Sequence, residues 1–205
     1  MKPSAVILAG GRSARMGGGN KCLLPLNGQP MIAHVLKSIM PQTDNILINT
    51  NSDPRPFLAY GKPVLPDAIP GFQGPLAGLL AGMLWSRKRH PSQAHILCVA
   101  GDMPFLPDNL VKQLSESLSR QCADIAIACA ADGTHPTIGL WPVDLAERLE
   151  HDLMNSTVRS LHQWASGFRI ALAQFDATAL TNINTPSDLA ACQHRISNPV
   201  LATAS

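Results

Sequence analysis

The residues with the clearest capacity for chemistry lie near the start of the chain, in Ser4–Leu26, SAVILAGGRSARMGGGNKCLLPL. An apolar run ends there at Gly10-Gly11, and two arginines, three more glycines and Lys21 follow before apolar residues return. Glycine lets backbone N–H groups approach an anion closely, and successive N–H groups form an anion-binding concavity. The segment therefore predicts a loop that binds a phosphate or another oxyanion, with positive charge from Arg12, Arg15 and Lys21.

Two common phosphate-binding motifs do not fit this loop. A P-loop requires Gly-Lys-Ser/Thr, whereas Lys21 lies between Asn20 and Cys22. A dinucleotide fingerprint requires GxGxxG and an acidic residue about 20 positions later, and neither is present. A serine nucleophile at Ser13 is disfavoured because the GxSxG pattern is absent. A flexible surface loop without a ligand is the remaining alternative, which the loop's place after the first strand disfavours.

Regular elements must position these residues, and strands alternate with helices along the chain. Apolar runs predict strands at 5–9, 45–50, 62–67, 94–102, 123–130, 135–141 and 168–173. Helical spacing predicts helices at 29–40, 75–89, 107–120 and 186–195, with 143–165 mainly helical. Such alternation is typical of right-handed βαβ units on a mostly parallel sheet. We therefore expect an α/β fold, a single three-layer α/β/α Rossmann-like domain at 1–195 with a C-terminal tail at 196–205.

Polar side chains follow several predicted strands at the point where each strand ends. Asp102 follows the strand at 94–102, Asp67 follows KPVLP, and Asn49 and Asn51 end another strand. Such a carboxylate can also be only a helix N-cap or a turn residue. In open α/β sheets, however, ligands bind beyond the carboxyl ends of the strands. Since Mg²⁺ takes few protein carboxylates and completes its shell with water and phosphate oxygens, the set predicts a nucleotide–metal site.

Composition excludes several classes of protein. The chain has 205 residues, of which 45% are hydrophobic and 15% charged, and its formal net charge is +2. That charge is too small for a nucleic-acid surface, and no apolar run approaches the ~20 residues of a membrane span. The five cysteines form no CxxC pair, which disfavours a disulfide framework or a zinc site. Without a cleavable signal-peptide pattern, we expect a cytoplasmic protein with no nucleic-acid or membrane partner.

Five segments, in order and spacing, resemble the molybdenum cofactor guanylyltransferase family. They are LAGGRSARMGGGNK, DAIPGFQGPLAGLLAG, GDMPFL, HPTIGLW and NINTPSDL, which span residues 8–189. The wider nucleotidyltransferase superfamily shares the first segment, and the others narrow the resemblance to this family. The resemblance implies a nucleotidyltransferase domain that uses Mg²⁺. It would join GMP from GTP to the terminal phosphate of molybdenum-carrying molybdopterin, releasing pyrophosphate and forming molybdopterin guanine dinucleotide.

The resemblance also implies roles for residues at matching positions. GTP would be bound by Leu8, Ala9, Gly10, Gly11, Lys21, Asn49, Asp67 and Asp102. The catalytic residues would be Arg15 and Lys21, which neutralise phosphate charge, and Asp102, which holds Mg²⁺. Gly74 and Gly78 flank Pro75-Leu76-Ala77, a wall against the guanine. His135, Asn182 and Asn184 would face the pterin substrate or complete the metal site. One position departs from the family, since Gly101 stands where we expect a cysteine before Asp102.

The implied reaction needs charge neutralisation more than proton transfer. A phosphate monoester has a second pKa of about 6, so the attacking oxygen is mostly unprotonated near neutral pH. We therefore expect an in-line attack on the α-phosphorus of GTP with no general base and no covalent enzyme intermediate. The basic segment SRKRH at 86–90 is most simply a solvated helix end, and docking of a polyanion is its alternative role.

Two other functions stay open at this point. The first is a different nucleotidyltransferase, such as a cytidylyltransferase that acts on the same pterin or on a sugar phosphate. The second is a nucleotide-binding regulatory protein without catalysis. For the guanylyltransferase, the resemblance implies GTP and molybdenum-molybdopterin as substrates. It also implies hand-over partners, namely the protein that inserts molybdenum and the apo-molybdoenzymes or their chaperones.

Overall fold

The fold is seen in a computed structural model, which describes residues 1–10, 19–71, 74–156 and 158–197. The strands within these residues are β1 (Ser4–Leu8), β2 (Pro25–Leu26), β3 (Gln29–Pro30), β4 (Asn45–Asn49), β5 (Val64–Leu65), β6 (His95–Ala100), β7 (Ile125–Ala130), β8 (Gly133–Pro142) and β9 (Ile170–Gln174). The α-helices are α1 (Met31–Ile39), α2 (Arg55–Leu58), α3 (Pro75–Arg89), α4 (Leu110–Arg120), α5 (Ala146–Asn155), α6 (Leu161–Ala165) and α7 (Pro186–Ser197).

Seven strands of the described residues form one sheet in the order β5-β4-β1-β6-β8-β7-β9. The pairs β5·β4, β4·β1, β1·β6 and β7·β9 are parallel. Only β8 runs the other way, between β6 and β7. The predicted mostly parallel sheet is therefore confirmed, and the strand predicted at 135–141 is its antiparallel member.

Helices cover both faces of this sheet because the central strands are apolar on both faces. On one face, Ile7 of β1 packs in a cluster with residues of α1 and α4, such as Val35 and Leu114. On the other face, Val6 packs with α3, α5 and α6, through residues such as Leu79 and Trp164. The predicted three-layer α/β/α architecture is confirmed, and it leaves the carboxyl edge of the strands open for a ligand.

Several element boundaries differ from the sequence prediction. The predicted strand at 62–67 shrinks to Val64–Leu65, because Pro63 and Pro66 on either side lack the N–H that a ladder needs. The predicted helical region 143–165 contains a short 3₁₀ turn, then α5, then α6. Helix α6 begins at an N-cap of its own. That cap is Ser160, whose hydroxyl accepts a hydrogen bond from the Gln163 N–H at 3.1 Å.

Four smaller features complete the fold. The short helix α2 was not predicted, although Asp53 marks its start by accepting from the Arg55 N–H at 3.0 Å. The closing helix α7 extends to Ser197, two residues past its predicted end. All five cysteines are free thiols. Within the described ranges, no helix has both the length and the apolar composition that crossing a bilayer requires.

Candidate active site

The carboxyl ends of β4, β1 and β6 form the floor of a cavity of about 910 Å³. The parallel register continues one step past the strands, since Ala9 N–H donates to the Asn49 carbonyl at 2.8 Å and Gly101 N–H donates to the Leu8 carbonyl at 2.9 Å. These bonds hold the ends of the three strands level. The residues predicted for the site that line this cavity are Leu8, Ala9, Gly10, Lys21, Asn49, Asp67, Gly74, Pro75, Asp102 and Asn182.

Lys21 is the centre of a polar cluster at one end of the cavity. Its ammonium contacts Asp102 Oδ2 at 2.6 Å, Asn184 Oδ1 at 2.6 Å and Asn182 Oδ1 at 3.2 Å. The Lys21 side chain is only 10% exposed and that of Asp102 is 21% exposed, so the ion pair is largely shielded from water. The resemblance implied that Lys21 contacts phosphates and Asp102 holds the metal, and it left Asn182 and Asn184 open between the pterin substrate and the metal site. The structure places these four side chains in contact.

Asn20 anchors the polypeptide just before Lys21. Its side-chain amide donates to the Ala9 carbonyl at 2.5 Å, which ties the far end of the glycine-rich segment to the end of β1. Its side-chain oxygen accepts from the Cys22 N–H at 3.2 Å and caps a 3₁₀ turn at Lys21–Leu23. Sequence reasoning gave Asn20 no role, although an Asn directly before a short helical turn is a recognisable capping signal.

Cys22 lies beneath this cluster and is 3% exposed. Its thiol contacts the Asn20 side-chain oxygen at 2.9 Å. Burial, and then the negative charge of Asp102, raise the pKa of the Cys22 thiol to about 12. Because the thiol stays protonated at neutral pH, Cys22 contributes packing at this site rather than a nucleophile.

The packing of Cys22 accounts for the departure at Gly101. A Cβ added to Gly101 would lie 3.1 Å from the Cys22 Cβ and 3.3 Å from the Leu8 carbonyl oxygen. A side chain at position 101 would therefore contact Cys22 more closely than is usual, and one of the two would have to shift. Asp102 keeps its place at the end of β6, next to Lys21, with glycine before it.

A second polar network lies at the other end of the cavity. Asn49 donates to Asp67 Oδ1 at 3.1 Å, and Asn51 donates to Asp67 Oδ2 at 2.7 Å. The Asp67 N–H donates in return to the Asn51 side-chain oxygen at 2.8 Å. Both carboxylate oxygens are thus held in one orientation at the ends of β4 and β5. Asn51 lines the cavity but has no role in the set implied by the resemblance.

Helix α3 approaches this network closely through Gly78. A Cβ at Gly78 would overlap the side-chain oxygen of Asn49 and lie 2.7 Å from Leu8 Cδ2. Of the segment predicted as a wall against the base, Gly74 and Pro75 line the cavity. Leu76 instead packs in the apolar layer beneath α3. The face of α3 that meets the site is therefore its first turn together with the backbone at Gly78.

His135, which was also predicted for the site, is not among the residues that line the cavity. Its Nε2 is hydrogen-bonded to Asp132 Oδ1 at 3.1 Å, and among the described residues it forms no hydrogen bond or ion pair with the Lys21 cluster. Thr137, two residues further along β8, lines the cavity instead. Arg15 and Gly11, predicted for catalysis and GTP binding, fall outside the described residues, as does Arg12.

The oxygen atoms around Lys21 are suited to a hard cation. Asp102, Asn182 and Asn184 each accept a hydrogen bond from the Lys21 ammonium through a side-chain oxygen. Three potential oxygen ligands therefore already converge on a positive charge. Mg²⁺ prefers such donors and needs only one or two carboxylates, with water and phosphate oxygens completing its shell. In the described part of the chain, no group of three or more His, Cys, Asp or Glu side chains is placed to hold a metal. A metal here would rest on the single carboxylate of Asp102.

Solved structures share this fold. Molybdopterin-guanine dinucleotide biosynthesis protein A from Archaeoglobus fulgidus is similar with a TM-score of 0.73 and 19% identity, over 95% of this chain and 99% of that one. CMP:2-keto-3-deoxy-manno-octonic acid synthetase complexed with CTP is similar with a TM-score of 0.75 and 16% identity, over 97% of this chain and 100% of that one. Residues 5–170 match the MobA-like NTP transferase domain. Fold and domain together define the class of nucleotidyltransferases.

Sequence relatives narrow the class to one family. The chain is 40% identical over 188 residues to the molybdenum cofactor guanylyltransferase of Bradyrhizobium sp. (strain ORS 278), covering 90% of this chain and 89% of that protein. It is 40% identical over 191 residues to the enzyme of the same name from Rhodopseudomonas palustris (strain HaA2), covering 92% of this chain and 89% of that protein. The chain belongs to the molybdenum cofactor guanylyltransferase family.

Proposed function

We propose that this enzyme transfers GMP from GTP to the terminal phosphate of molybdenum-molybdopterin. An oxygen of the pterin phosphate forms a bond to the α-phosphorus of GTP, and the bond from that phosphorus to the β-phosphate bridging oxygen breaks. Pyrophosphate leaves, and the product is the molybdopterin guanine dinucleotide form of the cofactor. The observation that carries the proposal is the Lys21–Asp102 cluster, which shares one cavity with the Asn49–Asp67 network at the open edge of the sheet.

The cavity has an end suited to phosphates and an end suited to a nucleoside. Lys21 and Gly10, the first residue of the glycine-rich segment in the lining, face the same cavity, so the ammonium and the loop amides would hold the triphosphate. At the other end, the fixed carboxylate of Asp67 retains lone pairs that accept hydrogen bonds, and guanine and ribose both carry suitable donors. Arg15 would add a further positive charge to the loop.

Neutralisation of charge is the main task of these residues. The attacking phosphate and the triphosphate are both anionic, so bringing them together costs Coulomb energy that a shielded cationic group lowers. Lys21 would stabilise the charge that develops on the departing pyrophosphate, as lysines do in other phosphoryl-transfer sites. Asp102, with Asn182 and Asn184, would hold Mg²⁺, which when bound supplies further neutralisation of the phosphates.

The nucleotide decides between this function and its alternatives. Purified protein with Mg²⁺ and molybdenum-molybdopterin should release pyrophosphate with GTP and far less with CTP. The reverse preference would overturn guanylyl transfer in favour of a cytidylyltransferase. Binding of GTP without pyrophosphate release, under conditions in which a family member is active, would indicate a nucleotide-binding regulatory protein.

The carboxylate of Asp102 is the second test. Asp102→Asn keeps the shape of the side chain but removes the charge that would hold Mg²⁺. We expect turnover at saturating Mg²⁺ to fall by about 100-fold or more, the scale on which single electrostatic contacts act in catalysis. Asp108→Asn, a change at an exposed neighbour, is the matched control and should leave turnover unchanged. Near-normal turnover of the Asp102 variant would rule out the metal assignment.

The remaining expectations concern the enzyme's surroundings. We propose a cytoplasmic location, with which five free thiols agree because disulfides are rare in that compartment. The hand-over partners would be the molybdenum-insertion protein and the apo-molybdoenzymes or their chaperones. Fractionation of cells that carry the tagged chain would test the location, and co-purification would test the partners.

A further inference from the structure

A second cavity, of about 960 Å³, lies outside the nucleotide site along the edge of the sheet. We call it the β5–α3 groove, because β5 and its flanking residues 61–68 form one wall and residues 81–90 at the C-terminal end of α3 form the other. Its lining includes Leu65, which is 40% exposed, and Trp85, which is half-buried. The groove thus presents apolar surface that the described residues leave uncovered.

One wall of the groove is a sheet edge. β5 is the terminal strand of the sheet, and its partner is β4, through the pairs Ile48↔Val64 and Asn49↔Leu65. No other strand of the described residues pairs with β5. Pro63 and Pro66 flank this two-residue strand and shorten its free edge, so β5 contributes a wall to the groove rather than an edge to which another strand could add.

The rim of the groove is strongly basic. Lys62, Lys88 and Arg89 line it, and the structure records no hydrogen bond or ion pair for these three side chains within the described residues. The single carboxylate in the lining is Asp44, which accepts a long hydrogen bond of 3.5 Å from Gln93. With three cations and one carboxylate among its described lining residues, the groove carries an excess of positive charge.

The end of a helix explains only part of this charge. Basic residues in the last turn of α3 interact favourably with the helix dipole, which accounts for Lys88 and Arg89. Lys62 lies on the opposite wall and belongs to no helix. Arg87, in the same basic segment, is used differently, since it pairs with Glu147 at 3.0 Å. Cations from two separate elements thus line one apolar groove, which is the pattern of a surface complementary to an acidic partner.

We propose that the β5–α3 groove docks an extended acidic segment of a partner protein. An apolar side chain of that segment would pack between Leu65 and Trp85, and its carboxylates would face Lys62, Lys88 and Arg89. A small anion could use the cations but would leave the apolar wall unused. A segment with carboxylates on either side of an apolar residue uses both features, so it is the occupant that the groove favours.

The groove adjoins the nucleotide site. Pro66 lines both cavities, and the next residue, Asp67, belongs to the network at the nucleoside end. A protein docked in the groove would therefore lie beside the mouth of the candidate active site. That position suits a protein that delivers the substrate or receives the product, although docking itself does not depend on the proposed function.

Selection of peptides by the full chain tests the proposal. A phage-displayed library of random 12-residue peptides would be selected on immobilised protein, and enriched sequences would be synthesised with a fluorescent label. We expect the enriched peptides to have Asp or Glu on either side of an apolar residue. Their binding to the protein would be measured by fluorescence anisotropy. The variant K62Q/K88Q/R89Q and the variant Leu65→Ser should each weaken that binding at least tenfold.

A control separates the groove from general electrostatics. The variant K37Q/K112Q/R120Q removes the same charge from other parts of the surface and should bind the peptide like the unchanged protein. Failure to enrich acidic peptides, or equal loss in both triple variants, would overturn the proposal. Displacement of the peptide by inorganic pyrophosphate at equal concentration would also overturn it, in favour of a small-anion site. Binding of GTP, measured in parallel, should be unchanged in all these variants, so the test is independent of the proposed function.

Discussion

At the scale of single residues, Lys21 has more partners than an ordinary surface lysine. Its ammonium has three donors and meets three oxygens, one of them charged, so its position is determined by contacts with Asp102, Asn182 and Asn184. A phosphate bound by Lys21 would therefore replace one of these three hydrogen bonds, while the other two would keep the ammonium in place. Such preorganisation is what makes electrostatic stabilisation effective in a catalytic site.

Cys22 and Gly101 should behave as a matched pair. Gly101→Cys alone would force a new side chain against the Cys22 Cβ and the Leu8 carbonyl, and overpacking of this kind costs about 1–3 kcal/mol. Because Asp102 is the next residue, we also expect turnover to fall. Adding Cys22→Gly frees the space, so the double variant should regain most of the stability and the pyrophosphate release rate.

The pairing is measured on Gly101→Cys, Cys22→Gly and the double variant. For each, urea unfolding gives the stability and pyrophosphate release gives the turnover. Gly167→Ala is a useful control, since a Cβ there would meet its nearest neighbour, the Arg148 guanidinium, at an ordinary 3.4 Å. Losses in the double variant equal to the sum of the single losses would contradict the pairing, because residues that do not interact give additive effects.

At the scale of elements, α3 serves both the core and the site. Its buried residues pack in the apolar layer on one face of the sheet, while Gly78 allows its backbone to pass close to Asn49 and Leu8. Helix propensity favours Ala over Gly by about 1 kcal/mol. Glycine at this position therefore has a reason outside the helix, namely the close approach to the end of β4.

Gly78→Ala should damage nucleotide binding specifically. The added methyl group would displace the Asn49 side chain, which hydrogen-bonds to Asp67, so we expect KM for GTP to rise at least tenfold with a smaller change in kcat. Steady-state kinetics over a range of GTP concentrations would measure both constants.

Gly82→Ala is the control on the same helix. A Cβ there would lie 2.7 Å from the Val6 Cβ and 3.0 Å from Ile96 Cδ1, both in the core and away from the cavity. This variant should lose stability but keep its KM for GTP. If the two substitutions had the same effect on KM, Gly78 would have no particular role at the nucleotide site.

At the scale of the whole molecule, the site joins segments from the two halves of the chain. Lys21 and Asn184 are separated by 163 residues and meet at 2.6 Å. Nearby, Ile183 and Cys192 from the C-terminal part pack in a small apolar cluster with Leu26 and Met31 from the N-terminal part. Helix α7 thus holds its preceding loop against the end of the cavity where Lys21 lies.

A double-mutant cycle should detect this connection. Lys21→Ala and Asn184→Ala should show a coupling energy of about 1–2 kcal/mol in urea unfolding, because the hydrogen bond joins a buried ammonium to the side chain of an exposed residue. The exposed pair Lys112–Glu116, at 3.9 Å, should show a coupling below about 0.5 kcal/mol. A coupling of zero between Lys21 and Asn184 would mean that their contact does not contribute to the stability of the fold.

The amino-acid sequence alone predicted the α/β class and most of the helices and strands, because hydrophobic periodicity and turn residues act over short stretches of chain. It also indicated that Asn49, Asp67 and Asp102 share an edge, since parallel strands end together. Three features were decided by the tertiary structure: the position of β8 between β6 and β7, the packing of Cys22 against Gly101, and the contact of Asn49 with Gly78. Each depends on how closely segments distant in the chain approach one another, and that distance is set by packing of the whole core.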